Sequence, residues 1–257
     1  MKYGKRNISG VQLERVLLHN WYRYNQQIID YGDISLVTGV TGSGKTRVIK
    51  HMIDVVTAQN RGVIVLVPEI GLTPQTVAFF KSFYGKRVVV THSGLSDGER
   101  FDAWRALKSG EADICIGTRS AIFAPVRNLG MIVIDEEQEH TYKSDQSPRY
   151  HARDIARFRC AANNALMLLA SATPSLESIM KCGYVEVDAQ AAKSKSVYNL
   201  VTLRSRYAGK LPDAIIADTR PDAREGIVGP IGSRLRAEIA DNLSRGEQSI
   251  LFLNRRG

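Results

Sequence analysis

An α/β fold, a parallel sheet covered by helices, is what this sequence predicts, on two observations. Short continuous runs of Val, Ile and Leu recur along the first two thirds of the chain with helical patterns between them. The first of these runs leads into Gly39-Val40-Thr41-Gly42-Ser43-Gly44-Lys45-Thr46, which fits G-x-x-x-x-G-K-[ST], and an amphipathic run follows at once. Strand, glycine loop and helix in that order form a phosphate-binding loop, because the loop's N–H groups then face one pocket at the positive end of a helix.

The elements follow in order. Strand-length apolar runs lie at Ile34–Val37, Val63–Val67, Val88–Thr91, Ile114–Ile116, Met131–Ile134 and Leu166–Ala170. Helical patterns lie between most of them, at Arg47–Ala58, Gln75–Phe83, Glu99–Leu107 and Ala152–Ala161. Strands buried on both faces read as unbroken apolar runs, and helical crossovers between them make the sheet parallel and the connections right-handed. Phe101, Trp104 and Leu107 are expected to form the buried stripe of one covering helix. The texture changes after Gly183. Residues Ala189 to Ser196 are polar and aperiodic, as a linker would be, and a short apolar run follows at Leu200–Leu203. A turn-rich stretch, Asp218–Pro230, precedes a helix from Ile231 to Leu243, whose Ile231, Leu235, Ile239 and Leu243 share a face. Ile250–Leu253 reads as a strand. Three regions result: a lead-in segment at 1–33, a nucleotide-binding lobe at 34–184, and a linker with the incomplete start of a second lobe at 185–257.

The 257 residues suffice for a real core, and 44% hydrophobic with 24% charged residues is ordinary for a globular protein. No apolar run approaches the roughly 20 residues that span a bilayer. The basic start, Met1 to Arg6, has no apolar core behind it, so a cytoplasmic location without membrane contact is expected. Cys115, Cys160 and Cys182 lack C-x-x-C spacing and suggest buried thiols, not a disulfide framework or a zinc site. A formal charge of +9 is compatible with a polyanionic partner, nucleic acid being the commonest.

In a loop of this kind Lys45 reaches the β/γ-phosphates and the Thr46 hydroxyl holds Mg²⁺. A second signal is the strand Met131–Ile134 ending in Asp135-Glu136-Glu137-Gln138. Asp135 would hold Mg²⁺ through water, and Glu136 would orient and deprotonate the attacking water. Ser171 and Thr173 follow the run Leu166–Ala170, where their hydroxyls can bond the acids of a neighbouring strand. Read alone, the same residues make an ordinary helix start.

Gly39–Thr46, Asp135–Glu137 and Ser171–Thr173 in this order resemble motifs I, II and III of superfamily-two helicases. Longer strings narrow the likeness to the primosomal helicases of replication restart: Val67–Gln75, His92–Arg100, Gly117–Ala121, Pro148–Asp154 and Phe252–Gly257. The resemblance implies a RecA-like helicase lobe, ATP and Mg²⁺ as ligands, and ATP-driven movement on single-stranded and forked DNA. It also implies primosome and single-strand-binding proteins as partners. By the same resemblance Glu69, Thr73, Thr118, Arg119 and Ser120 contact the strand's backbone. Tyr142, Lys143, Arg149 and Tyr150 belong to an aromatic-rich loop that couples DNA contact to hydrolysis. Arg149, Arg153 and Arg157 stand four apart and would share a helical face, a plain solvated face being the alternative for Arg157.

The family's acidic string ends in histidine where this chain has Gln138, which is expected to bridge the nucleotide and Thr173 with altered coupling. Family members also carry N-terminal DNA-binding domains, a cysteine-rich zinc module and the rest of the second lobe with its arginine. The expectation is therefore firm nucleotide binding, weak DNA binding and poor hydrolysis or unwinding by this chain alone. The alternative is a degenerate remnant that binds nucleotide and DNA, or a primosome partner, without unwinding.

Overall fold

The computed structural model describes residues 15–18, 27–30, 34–39, 43–183, 197–203, 215–227 and 229–252, the first two segments by backbone alone. Strands β1 (Arg15–Leu18) and β2 (Gln27–Asp30) form an antiparallel pair within the lead-in segment. Then come β3 (Ile34–Gly39), α1 (Lys45–Ala58), β4 (Gly62–Leu66), α2 (Pro74–Tyr84), β5 (Val88–Thr91), α3 (Asp97–Ser109) and β6 (Ile114–Gly117). The lobe continues with β7 (Leu129–Asp135), α4 (Ala152–Asn163), β8 (Leu166–Ser171), α5 (Leu176–Lys181) and β9 (Asn199–Leu203).

Seven of these strands make one sheet in the order β5-β6-β4-β7-β8-β3-β9, every pairing parallel. Alternation along each strand feeds two cores, since successive side chains point to opposite faces. On β7, Met131 and Val133 join Val48, Ile49, Met52, Ile53 and Val56 of α1 and Phe80 and Tyr84 of α2. Ile132 and Ile134 join Leu107 of α3 and Ala152, Ala156 and Cys160 of α4 on the other face. This is the α/β architecture that the apolar runs predict.

Three elements differ from the sequence reading. The run Leu200–Leu203, placed there in the segment beyond the lobe, is part of β9 and pairs with β3 at Val37↔Val201. Val201 and Leu203 bury themselves in the α1-side core, and this covers an edge that β3 would otherwise expose. The compact units divide at Gly209/Lys210. Phe101 and Trp104 are 60% and 44% exposed, whereas Leu107 is fully buried. The buried face of α3 runs through Ala103 and Leu107, and the two aromatics stack on each other beside it. Ile250, Leu251 and Phe252 form no strand and are exposed, and 253–257 lie outside the described residues.

The unit from Lys210 contains α6 (Arg220–Arg224) and α7 (Ser233–Ser244). Asp222 accepts from Ser233 N (2.9 Å) and from its hydroxyl, which ties the start of α7 to α6. No residue of α7 is buried, so the face carrying Leu235, Ile239 and Leu243 packs on no core among the described residues.

Candidate functional site

The loop after β3 is shaped by close approach. A Cβ on Gly39 would lie 2.7 Å from Ser43 Oγ and 2.9 Å from Leu203 Cβ, so a larger residue would displace the loop or β9. Gly44 takes the left-handed region at φ 88° and starts α1, with Arg47 N and Val48 N donating to its carbonyl. Lys45 Nζ donates to Gly39 O at 3.2 Å, which ties the ammonium to the end of β3. Thr46 is exposed at the first helical turn. Val40, Thr41 and Gly42 lie outside the described residues.

Opposite stands the acid string at the end of β7. Burial pushes the Asp135 carboxyl up to about 6, and the neighbouring Glu136 charge adds to this, while Glu136 N–H and Lys45 oppose it. Glu136 N donates to Asp135 Oδ1 at 3.0 Å. Glu136 itself adopts φ 46°, a strained conformation of the kind that clusters at functional sites. Gln138 joins two strands: its Nε2 donates to Glu136 Oε2 (3.1 Å) and its Oε1 accepts from Ser171 Oγ (2.6 Å). The partner expected from sequence was Thr173, but that residue is exposed and gives its backbone N–H to Ser171 Oγ (2.9 Å).

Thr46, Asp135, Glu136 and Glu139 line one cleft of about 630 Å³ whose apolar wall includes Val65 and Phe79. Among the described residues no group of three His, Cys, Asp or Glu could hold a metal ion. The hydroxyl of Thr46 and the carboxyl of Asp135 fit a Mg²⁺ that takes its other ligands from phosphate and water. Lys45 fits the phosphates.

A second cluster occupies the same end of the sheet. Gly117 ends β6, where a Cβ would lie 2.2 Å from Thr91 O, so the turn that follows depends on glycine. Thr118 is 6% exposed and its N–H bonds Thr91 O, so it offers no side chain to a strand. Arg119 Nη1 donates to Thr141 O (3.2 Å) and to the Lys143 carbonyl, and its guanidinium lies over the Tyr150 ring. That side chain holds the 140–150 segment. Ser120 is exposed, as are Lys143 and Arg149. Tyr150 meets the exposed Phe123 edge-on at 5.1 Å. Arg159 supports the turn from behind by donating to the carbonyls of Ile122 and Ala124.

Tyr142 differs from the reading as a DNA contact. It is 1% exposed, and its hydroxyl lies 2.5 Å from Asp135 O and 3.2 Å from Leu66 O. It fastens the segment to the ends of β7 and β4. Glu69 is exposed in a 3₁₀ turn at Glu69–Gly71, while Thr73 caps α2 by accepting from Thr76 N. The three arginines form no stripe, because Arg149 precedes α4 and Arg153 turns inward to Glu137 at 3.0 Å. Arg157 is exposed. Sequence reading missed Phe123 and the Glu137–Arg153 pair. A phenylalanine in an apolar run carries no sign of exposure, and the pair has no local spacing signal.

The DEAD/DEAH box helicase family model matches residues 23–182. Replication restart protein PriA of Bacillus subtilis (strain 168) is 43% identical over 229 residues, covering 89% of this chain and 27% of that protein. PriA of Synechocystis sp. is 41% identical over 224 residues, covering 86% and 26%, and PriA of Treponema pallidum 40% over 222, covering 86% and 31%. The chain thus spans less than a third of the length of these curated relatives. In fold it is similar to RecG bound to a three-way DNA junction, with TM-score 0.51, 19% identity, and coverage of 84% of this chain and 26% of that one.

Proposed function

The chain belongs to the DEAD/DEAH box helicase family, and on that premise we propose that it carries the ATP-binding motor lobe of a DNA helicase of replication restart. One observation carries the reading: Tyr142 bonds the carbonyl of Asp135, so the exposed cation-and-aromatic patch is fastened to the strand that ends in the acids. In this reading Lys45 and the 39–46 loop bind the β/γ-phosphates, and Thr46 and Asp135 hold Mg²⁺. That ion supplies charge neutralisation at the phosphates. Glu136, held by Gln138, takes the proton of the attacking water, and Gln138 reports its position to Ser171. Ser120, Lys143 and Arg149 donate to phosphate oxygens, while Tyr150 and Phe123 offer ring faces to bases.

In this reading the ATP-binding lobe extends to β9, and the unit from Lys210 belongs to a second lobe. The substrate is single-stranded DNA exposed at forked structures, in the cytoplasm, and the partners are primosome and single-strand-binding proteins. No helix among the described residues is long and apolar enough to cross a membrane. The test is ATP turnover with and without forked DNA, beside Lys45→Ala. Turnover that rises with DNA and disappears in Lys45→Ala supports the helicase reading. Equal background rates in both proteins contradict it for this chain on its own and favour the reading of a protein that binds nucleotide and DNA without unwinding.

A further inference from the structure

Glu137 is the third acid of its string, and neither the phosphate site nor the DNA patch uses it. Its side chain is fully buried, and the Arg153 side chain beside it is 16% exposed. Glu137 Oε1 accepts from Ser175 N at 2.6 Å. Oε2 accepts from Ser175 Oγ (3.1 Å), Ser178 Oγ (2.9 Å) and Arg153 Nη1 (3.0 Å). Arg153 Nη1 also faces both hydroxyls, at 3.2 and 3.1 Å. The Glu137 N–H donates to Ala170 O, which fixes the backbone to β8 as well.

A buried ion pair contributes little stability over an apolar replacement of equal size, but breaking it strands a charge. Its distinctive consequence is one enforced geometry. Here that geometry joins three segments: the turn holding Glu136 and Gln138, the Ser171–Ser178 stretch, and the first turn of α4. The first turn of α4 is in turn fastened to the exposed loop, because Lys143 bridges His151 and Ser144 N donates to Tyr150 O at 2.7 Å.

We infer that Glu137 and Arg153 are positioning residues that lock the loop-bearing end of α4 to the catalytic turn, so that a strand held at 143–150 and a nucleotide held at Lys45 alter each other's binding. The inference rests on the proposed function. Neither residue touches either ligand, so the signature is loss of coupling with each separate affinity kept. Coupling between two sites is reciprocal and measurable without hydrolysis.

The experiment titrates a fluorescent single-stranded oligonucleotide into this chain with and without a non-hydrolysable ATP analogue and Mg²⁺. It is repeated for Glu137→Gln and for the neutral double variant Glu137→Gln/Arg153→Met, which leaves no stranded charge and keeps the test open if the single variant fails to fold. In the parent chain the nucleotide should change DNA affinity at least about fivefold. In the folded variants each ligand alone should bind within about twofold of the parent, with the coupling reduced to none. Unreduced coupling in the folded double variant overturns the inference, and so does a parent chain that binds both ligands without coupling. A parent chain that fails to bind either ligand overturns the functional reading itself.

Discussion

The acid turn at Asp135–Gln138 and the patch around Arg119 and Tyr150 stand at the same end of one sheet and are held in opposite ways. In the acid turn, side chains bond other side chains: Gln138 to Glu136 and Ser171, Glu137 to Arg153, Ser175 and Ser178. In the patch, Arg119 and Arg159 bond backbone carbonyls, while Ser120, Phe123, Lys143 and Arg149 stay exposed. Directed side-chain bonds in a buried setting fix one arrangement, which suits the proton transfer proposed for Glu136. Carbonyl anchoring fixes the path of the chain and leaves the surface adaptable, which suits the base stacking proposed for it.

The contrast predicts unequal responses to substitution. Arg153→Met, made alone, strands the buried Glu137 charge and should cost about 3–5 kcal/mol of stability in denaturant unfolding. A cost near zero would mean that the acid turn is not held by side-chain bonding. Tyr150→Ala should weaken single-stranded DNA binding by about 1–3 kcal/mol and lower the unfolding midpoint less than Arg153→Met does, because the half-buried ring packs only against the margin of the core. A large stability loss would place that ring in the core and erase the contrast. Tyr142→Phe keeps the packing and removes only the hydroxyl, for about 1 kcal/mol in thermal unfolding.

The smallest effect concerns pH. Burial lowers the His151 imidazole below its ordinary value, and Arg153 and Lys143 push the same way against the charges of Asp154 and Glu137. Its Nδ1 accepts from Arg153 N at 3.1 Å, a bond that only the neutral ring can make. Above about 6.5 the ring is neutral in both folded and unfolded chains, and below it the unfolded chain takes up a proton first. Stability from this cap is therefore lost as pH falls through that value, and exchange of the α4 amides should rise there. His151→Gln, which cannot titrate, should flatten the dependence.

Much of the sheet was legible because burial on both faces writes itself as unbroken Val, Ile and Leu runs. The glycine loop and the acids at 135–136 stand out in the sequence because the chemistry expected of them depends on neighbours in sequence. What was hidden depends on distant neighbours. Trp104 reads as core in a list of apolar residues, and only the helix phase set by Ala103 and Leu107 turns it outward. Tyr142 reads as a stacking residue until Leu66 and Asp135 place their carbonyls beside its hydroxyl. Arg119 suits a phosphate contact, yet its guanidinium holds carbonyls more than twenty positions away. Glu137 finds Arg153 sixteen positions on and Ser175 thirty-eight, separations at which no periodicity speaks. Val201 completes the sheet from beyond a polar stretch that reads as a linker.

On the proposed reading, the nucleotide site and the DNA patch are one connected device. Hydrogen exchange of this chain on adding a non-hydrolysable ATP analogue with Mg²⁺, without DNA, tests it most directly. Altered protection at 135–138 together with altered protection at 140–151 is the predicted result. Changes confined to the 39–58 segment, with 140–151 exchanging as in the free chain, would contradict it.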